Sequence, residues 1–126
     1  MAATQAVDAA LILVVDDERD IRSTVAEMLV LEGYAVDEAV NGADALDAVE
    51  RRSPDVILLD MRMPVLDGWG FAQELRQRGK QIPIVVMTAA RDASRWAEEI
   101  GATAALAKPF GFDDLLRAVD KARAAA

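Results

Sequence analysis

The sequence predicts an α/β fold: five short parallel strands in one sheet, in the order 2-1-3-4-5, with helices on both faces. Three observations lead there. Short continuous apolar runs, such as Leu11–Val15, Asp55–Leu59 and Ile82–Met87, have the length and composition of strands buried on both sides. Stretches of helical periodicity separate them, and that alternation implies βαβ units. Two of the runs stop on acids, at Asp16-Asp17 and at Asp60. Right-handed crossovers leave few strand orders open. The order 2-1-3-4-5 puts the first and third strands side by side, so the three acids meet at the edge where open parallel sheets bind ligands.

The elements follow in turn. Leu11–Val15 reads as the first strand. Ile21, Val25, Met28 and Leu29 then recur on one helix face, and Gly33 is a natural stop. Tyr34–Glu38 alternates enough for a modest second strand. Ala43–Arg51 is helical, with Leu46 and Val49 inward, and Ser53-Pro54 breaks it. Asp55–Leu59 is the third strand, running into Asp60. Met63–Gly68 is a loop with an Asp-Gly turn signal. Trp69–Arg78 is helical and Gly79 closes it. Ile82–Met87 is the fourth strand, followed by a helix over Arg91–Ile100 that ends at Gly101. Thr103–Ala107 is a weak, Ala-rich fifth strand. Asp113–Arg123 is the last helix, with Leu115, Leu116 and Val119 apolar.

Composition narrows the function. A chain of 126 residues suits one domain. It has no cysteine, which excludes disulfides and thiolate chemistry and permits an intracellular location. It has no histidine, so no imidazole can serve as base, metal ligand or phosphate carrier. The net charge is −8 and the basic residues are scattered, which argues against nucleic-acid binding. No apolar run approaches the roughly 18 residues of a membrane span. Residues 1–10 lack a basic start and carry Asp8, so they read as a flexible leader and not as a secretory signal. The domain is expected over residues 11–123, with a short tail over 124–126.

The strand ends carry the chemistry. Two unit charges about 4 Å apart repel by roughly 4 kcal/mol at an effective dielectric of about 20. Three carboxylates in one pocket therefore need a proton, a cation or a shared ligand. Oxygen ligands favour a hard cation, and Mg2+ suits few carboxylates plus a phosphate. Thr88 ends the fourth strand and Lys108, before Pro109, ends the fifth. Three acids, a hydroxyl and an ammonium match phosphoryl transfer, where positioning and charge neutralisation dominate. A carboxylate can itself become the aspartyl phosphate. Each residue also has a bland reading. Asp16 and Asp17 could simply favour a helix N-terminus, Asp60 could merely terminate a strand, Thr88 could cap a helix, and Lys108 could be a surface lysine.

Four motifs in order lift the reading above those coincidences. They are Val15-Asp16-Asp17-Glu18; Leu58-Leu59-Asp60-Met61-Arg62-Met63-Pro64 with Asp67-Gly68; Met87-Thr88-Ala89; and Lys108-Pro109-Phe110. With them, the chain resembles a response regulator receiver domain of two-component signalling, of the single-domain chemotaxis-regulator type with a flavodoxin-like fold. The resemblance covers about Leu11 to Arg123. It implies Asp60 as phosphoacceptor. It implies Mg2+ on Asp17, Asp60 and the backbone carbonyl of Arg62, with Asp16 acting largely through water. Thr88 and Lys108 would bind the phosphoryl group, and the Lys108–Pro109 bond would be cis. The implied donor is a sensor histidine kinase or a histidine phosphotransfer protein. The implied output partner docks on the last two helices and last strand, with Trp96 near that face. No nucleic acid, no membrane and no external substrate are expected, and the implied location is cytoplasmic.

Two departures stand out. Receivers commonly carry Tyr or Phe three residues before the lysine, where this chain has Ala105. That leaves the usual aromatic switching route without its residue. Arg62, two residues after Asp60, is expected either to pair with an acid near the pocket or to point outward into solvent. The two tryptophans, Trp69 and Trp96, read as packing residues, and Asp67-Gly68 as turn chemistry. Rival readings are a small aspartyl-phosphate phosphatase, a flavodoxin-like cofactor binder and a receiver that no longer takes phosphate. Arg62 stands where the phosphatase would need a second acid. Asp16-Asp17-Glu18 would repel the cofactor's phosphate. Intact Asp60, Thr88 and Lys108 weigh against the third.

Overall fold

The computed structural model describes residues 9–89 and 91–125. In chain order the elements are β1 (Leu11–Val15), α1 (Arg19–Leu31), β2 (Ala35–Ala39), α2 (Gly42–Arg51), β3 (Val56–Asp60), α3 (Gly68–Gln77), β4 (Ile84–Ala89), α4 (Ala93–Ile100), β5 (Ala104–Lys108) and α5 (Phe112–Ala124). The strands form one parallel sheet in the order β2-β1-β3-β4-β5. This is the expected order and the expected alternation. The expected leader lies outside the described residues except for Ala9 and Ala10. Of the expected tail, Ala124 closes α5, Ala125 follows it, and residue 126 lies outside.

Every residue of β1 and β3 is buried. Alternate positions along each strand serve two different cores. Leu13, Val15, Ile57, Leu59 and Val86 pack with Phe71, Trp96 and Ile100 under α2, α3 and α4. Ile12, Val14, Leu58, Val85 and Met87 pack with Val25, Leu29, Leu115 and Val119 under α1 and α5. A strand covered on both faces has no polar side to show, which is why these runs are continuously apolar.

The differences from expectation lie at element ends. β4 begins at Ile84, two residues later than the apolar run, and extends through Thr88 to Ala89. Pro83 has no N–H for a ladder; its carbonyl instead accepts from Ile57 N at 2.9 Å. Arg91 and Asp92 form a turn before α4. α2 starts one residue early because Asn41 caps it, its Oδ1 accepting from Asp44 N at 2.8 Å. Asp44 Oδ2 accepts from Val40 N at 3.0 Å in return. At the end of α1, Gly33 takes a φ of 97° and Tyr34 N reaches the Leu29 carbonyl.

Asp67-Gly68 does more than turn the chain. Asp67 Oδ1 accepts from Gly70 N at 2.9 Å and caps α3. Gly68 lies against the residue after Asp60: its N–H donates to the Met61 carbonyl at 2.9 Å. A Cβ there would lie 2.7 Å from Met61 Cα. The return of the loop onto the end of β3 therefore needs glycine, and it holds the segment behind Asp60 in place.

Candidate functional site

Asp16 follows β1 directly and is fully buried. Its Oδ1 accepts from the Glu18 N–H at 2.9 Å, and its Oδ2 accepts from Lys108 Nζ at 3.0 Å. Asp60 is the last residue of β3 and only 6% exposed. Its Oδ1 accepts from Arg62 N at 3.4 Å, and its Oδ2 is 3.8 Å from Lys108 Nζ. Asp17 is exposed at the mouth of the pocket. One carboxylate oxygen from each of Asp16, Asp17 and Asp60 lies within 4.8 Å of the other two. The three acids thus converge, because β1 and β3 are hydrogen-bonded neighbours with Val15 beside Leu59.

Lys108 arrives from two strands away. β5 lies beyond β4 from β3, and the lysine reaches back across the sheet edge to both buried acids. The Lys108–Pro109 bond is cis, as the resemblance implies. Thr88 is buried in β4, one residue past Met87, the register partner of Asp60. All the residues singled out from the sequence at strand ends therefore share one edge.

Electrostatics mark Asp60 among them. Its carboxyl is raised from 3.8 to about 7. Burial is the largest cause, and the charge on Asp16 adds to it. Lys108 and the Arg62 N–H pull the other way, and Asp17 adds a smaller push upward. Three acids against one lysine leave a net negative pocket that a divalent cation would neutralise. The donor set is three carboxylates, oxygen ligands of the kind that take Mg2+. The residues present fit that ion.

Of its two expected courses, Arg62 takes the outward one, with a contact that the sequence did not suggest. Its side chain is exposed, yet it pairs with no carboxylate among the described residues. Its guanidinium carbon lies 5.0 Å from the centroid of the Trp96 ring. Trp96 is 4% exposed, in T-shaped contact with Trp69 at 4.8 Å between centroids. Trp69 Nε1 donates to Glu99 Oε1 on α4 at 2.8 Å. Both tryptophans are packing residues, and Trp96 offers little open surface to a partner.

Arg22 escaped the sequence reading. Its Nη1 donates to the Asp16 carbonyl at 2.9 Å and its Nε to Glu38 Oε1 at 3.0 Å. It braces the β1–α1 turn that presents Asp16 and Asp17. Helix spacing sets it three, four and seven residues before the buried Val25, Ala26 and Leu29, so it lies along the buried face with its side chain only 14% exposed, and that spacing is the signal that could have marked it.

Comparisons with known proteins agree with this fold. The family model for the response regulator receiver domain matches residues 12–120. The response regulator MprA of Mycobacterium sp. (strain KMS) is 40% identical over 107 residues, covering 83% of this chain and 46% of that protein. The chain thus spans about half the length of the MprA relatives it matches. Sporulation initiation phosphotransferase F of Bacillus subtilis (strain 168) is 38% identical over 112 residues, covering 87% of this chain and 90% of its own. Among solved structures, chemotaxis response regulator CheY4 of Vibrio cholerae superposes with a TM-score of 0.82 at 33% identity, over 90% of this chain and 98% of that one. The receiver domain of NtrX from Brucella abortus gives 0.84 at 32% identity, over 91% and 99%.

Proposed function

The chain belongs to the response regulator receiver domain family, and on that premise we propose that Asp60 accepts a phosphoryl group in a two-component relay. The observation that carries the proposal is the meeting of three carboxylates within 4.8 Å, with Lys108 3.0 Å from Asp16 and 3.8 Å from Asp60. A carboxylate oxygen of Asp60 attacks the phosphorus of a phosphohistidine on a sensor kinase or phosphotransfer protein. The P–N bond breaks, its electron pair stays on the imidazole nitrogen, and that nitrogen takes a proton from solvent. The product is an aspartyl phosphate with about one more negative charge than the carboxylate.

The chain's own groups meet that change. Lys108 Nζ already stands between Asp16 and Asp60 and is free to turn to a phosphoryl oxygen. The Thr88 hydroxyl donates to another. Asp16, Asp17, Asp60 and the Arg62 carbonyl would hold Mg2+, which when bound supplies positive charge to the transferring oxygens. Burial keeps bulk water from most of Asp60, which slows loss of the acyl phosphate. The domain catalyses its own modification and its own hydrolysis, and acts on no outside substrate. Its downstream partner docks on the α4-β5-α5 face. Neither nucleic acid nor membrane is bound; among the described residues no helix is long and apolar enough to cross a bilayer. The proposed compartment is the cytoplasm, where ATP charges the donor histidine.

Incubation with Mg2+ and acetyl phosphate, read by intact mass, tests this. One added phosphoryl group on the native chain and none on Asp60→Ala is the expected result. A native chain that gains no mass with ample donor and magnesium overturns the proposal.

A further inference from the structure

We propose that Arg62 is a phosphate-responsive latch on α4: its guanidinium rests on Trp96 while Asp60 is unmodified and moves to the phosphoryl oxygens once Asp60 is phosphorylated. The inference rests on the phosphoacceptor reading above and names how that site reaches the output face.

The latch joins the two places physically. Arg62 N donates to Asp60 Oδ1 at 3.4 Å, so the residue's main chain touches the acceptor. Its side chain lies over the Trp96 ring at 5.0 Å. Trp96 belongs to α4 and is buried in the core shared with α3 and the sheet. A change at Asp60 thus has one residue to cross before it reaches α4. The second cation on that ring, Arg95 at 5.9 Å, is held by Asp92 at 3.0 Å and sits near Glu99 at 4.0 Å, both beside it in sequence. It has its own partners and no link to the pocket.

Charge decides which contact wins in each state. With Asp60 a carboxylate, Lys108 already serves both buried acids, and a bound divalent cation would repel a second positive group. The guanidinium then settles on the nearest aromatic face, a weak contact at an exposed position. Phosphorylation adds charge and acceptor oxygens beside the Arg62 main chain. A charge-assisted, bidentate guanidinium–phosphate contact is much stronger than a surface cation–π contact. The side chain starts next to the acceptor, so it needs only a rotamer change. Trp96 then loses the nearer of its two cations and keeps Arg95 and its apolar packing.

Ala105 leaves β5 without a ring to serve in its place. It packs against the same core that holds Trp96, whose aromatic rings come from α3 and α4. The side chain that moves is then Arg62, and the ring that feels it stays still.

The test uses the full chain with Trp69→Phe, so that fluorescence reports Trp96 alone. Mg2+ is added first to set the baseline, then acetyl phosphate, with intact mass followed in parallel. The expected result is a change in Trp96 emission that rises in step with the added mass. Arg62→Gln should shrink that change at least threefold and shorten the aspartyl-phosphate lifetime about two- to fivefold, because the amide carries no charge to hold the phosphoryl oxygens. Trp96→Leu, which frees the guanidinium, should lengthen the lifetime. If far-UV dichroism shows that variant unfolded, Trp96→Phe should lengthen it less. Emission unmoved by phosphorylation, or an equal response in Arg62→Gln, overturns the latch and leaves the phosphoacceptor reading standing. A chain that gains no mass overturns both.

Discussion

Asp60 is a poor place for a charge, and that has a measurable sign. Its folded carboxyl is raised from 3.8 to about 7 by burial and by Asp16. Between those values the folded chain holds a proton that the unfolded chain has released. Stability then falls as pH rises from about 4 to about 7 and levels off above it. Asp60→Asn removes the charge and should therefore stabilise the metal-free protein at pH 8. The expected gain is on the order of 2 kcal/mol, below the ceiling of about 4 that a shift of this size allows, because the new amide must find partners. Near pH 4 the difference between variant and native should vanish. Urea midpoints at the two pH values, in a metal chelator, check this; an equal gain at both would show that charge is not the cause. Native metal-free protein would thus be held below its attainable stability by the group that performs its chemistry.

Among the elements, the loop between β3 and α3 holds the clearest strain. Leu66 N donates to the Pro64 carbonyl at 2.8 Å, closing a tight turn around Val65. Val65 sits at a φ of 70° and is 82% exposed, so a β-branched side chain occupies the left-handed region with little packing in return. The loop stays because Leu66 is seated elsewhere: its carbonyl accepts from Gly42 N at 2.8 Å. Its side chain fills the space where a Cβ on Gly42 or Gly70 would fall. Val65→Gly should raise stability by about 0.5–1 kcal/mol, the left-handed penalty less the added backbone entropy. Thermal unfolding measures it. A loss of stability would mean that the valine methyls are packed after all. The same loop shows where pattern reading weakens. Met63–Gly68 was legible as a loop, yet its seat against α2 joins residues far apart in the chain. Boundary shifts have a similar origin: Pro83 cannot enter the ladder and Asn41 begins its helix early, both matters of single hydrogen bonds.

For the whole molecule, the acidic edge should make stability depend on a divalent cation. A ligand at ten times its dissociation constant stabilises by about 1.4 kcal/mol if it binds only the folded chain. That corresponds to a rise in Tm of about 5 °C for a domain this size. Mg2+ should produce such a shift in the native chain, and Asp17→Asn should abolish most of it. Asp17 is exposed, so the substitution leaves the core untouched and isolates the ligand set. An unchanged magnesium shift in that variant would remove Asp17 from the site.

Strand and helix identity, sheet order and the three acids with Thr88 and Lys108 were all readable along the chain. Each depends on periodicity, on chain-breaking residues or on an acid closing an apolar run, and such signals are local. The environment of each side chain was not readable in that way. Arg62 lies on Trp96, 34 positions away, and Arg22 braces the Asp16 carbonyl while pairing with Glu38 on another strand. Spacing sets Arg22 along the buried face of its helix, yet nothing near either arginine in sequence names its partner, because that partner is chosen by what the packed sheet and helices bring within reach. Which elements form is a local preference repeated along the chain; where a long cation comes to rest is a competition among neighbours that exist only once the core has closed.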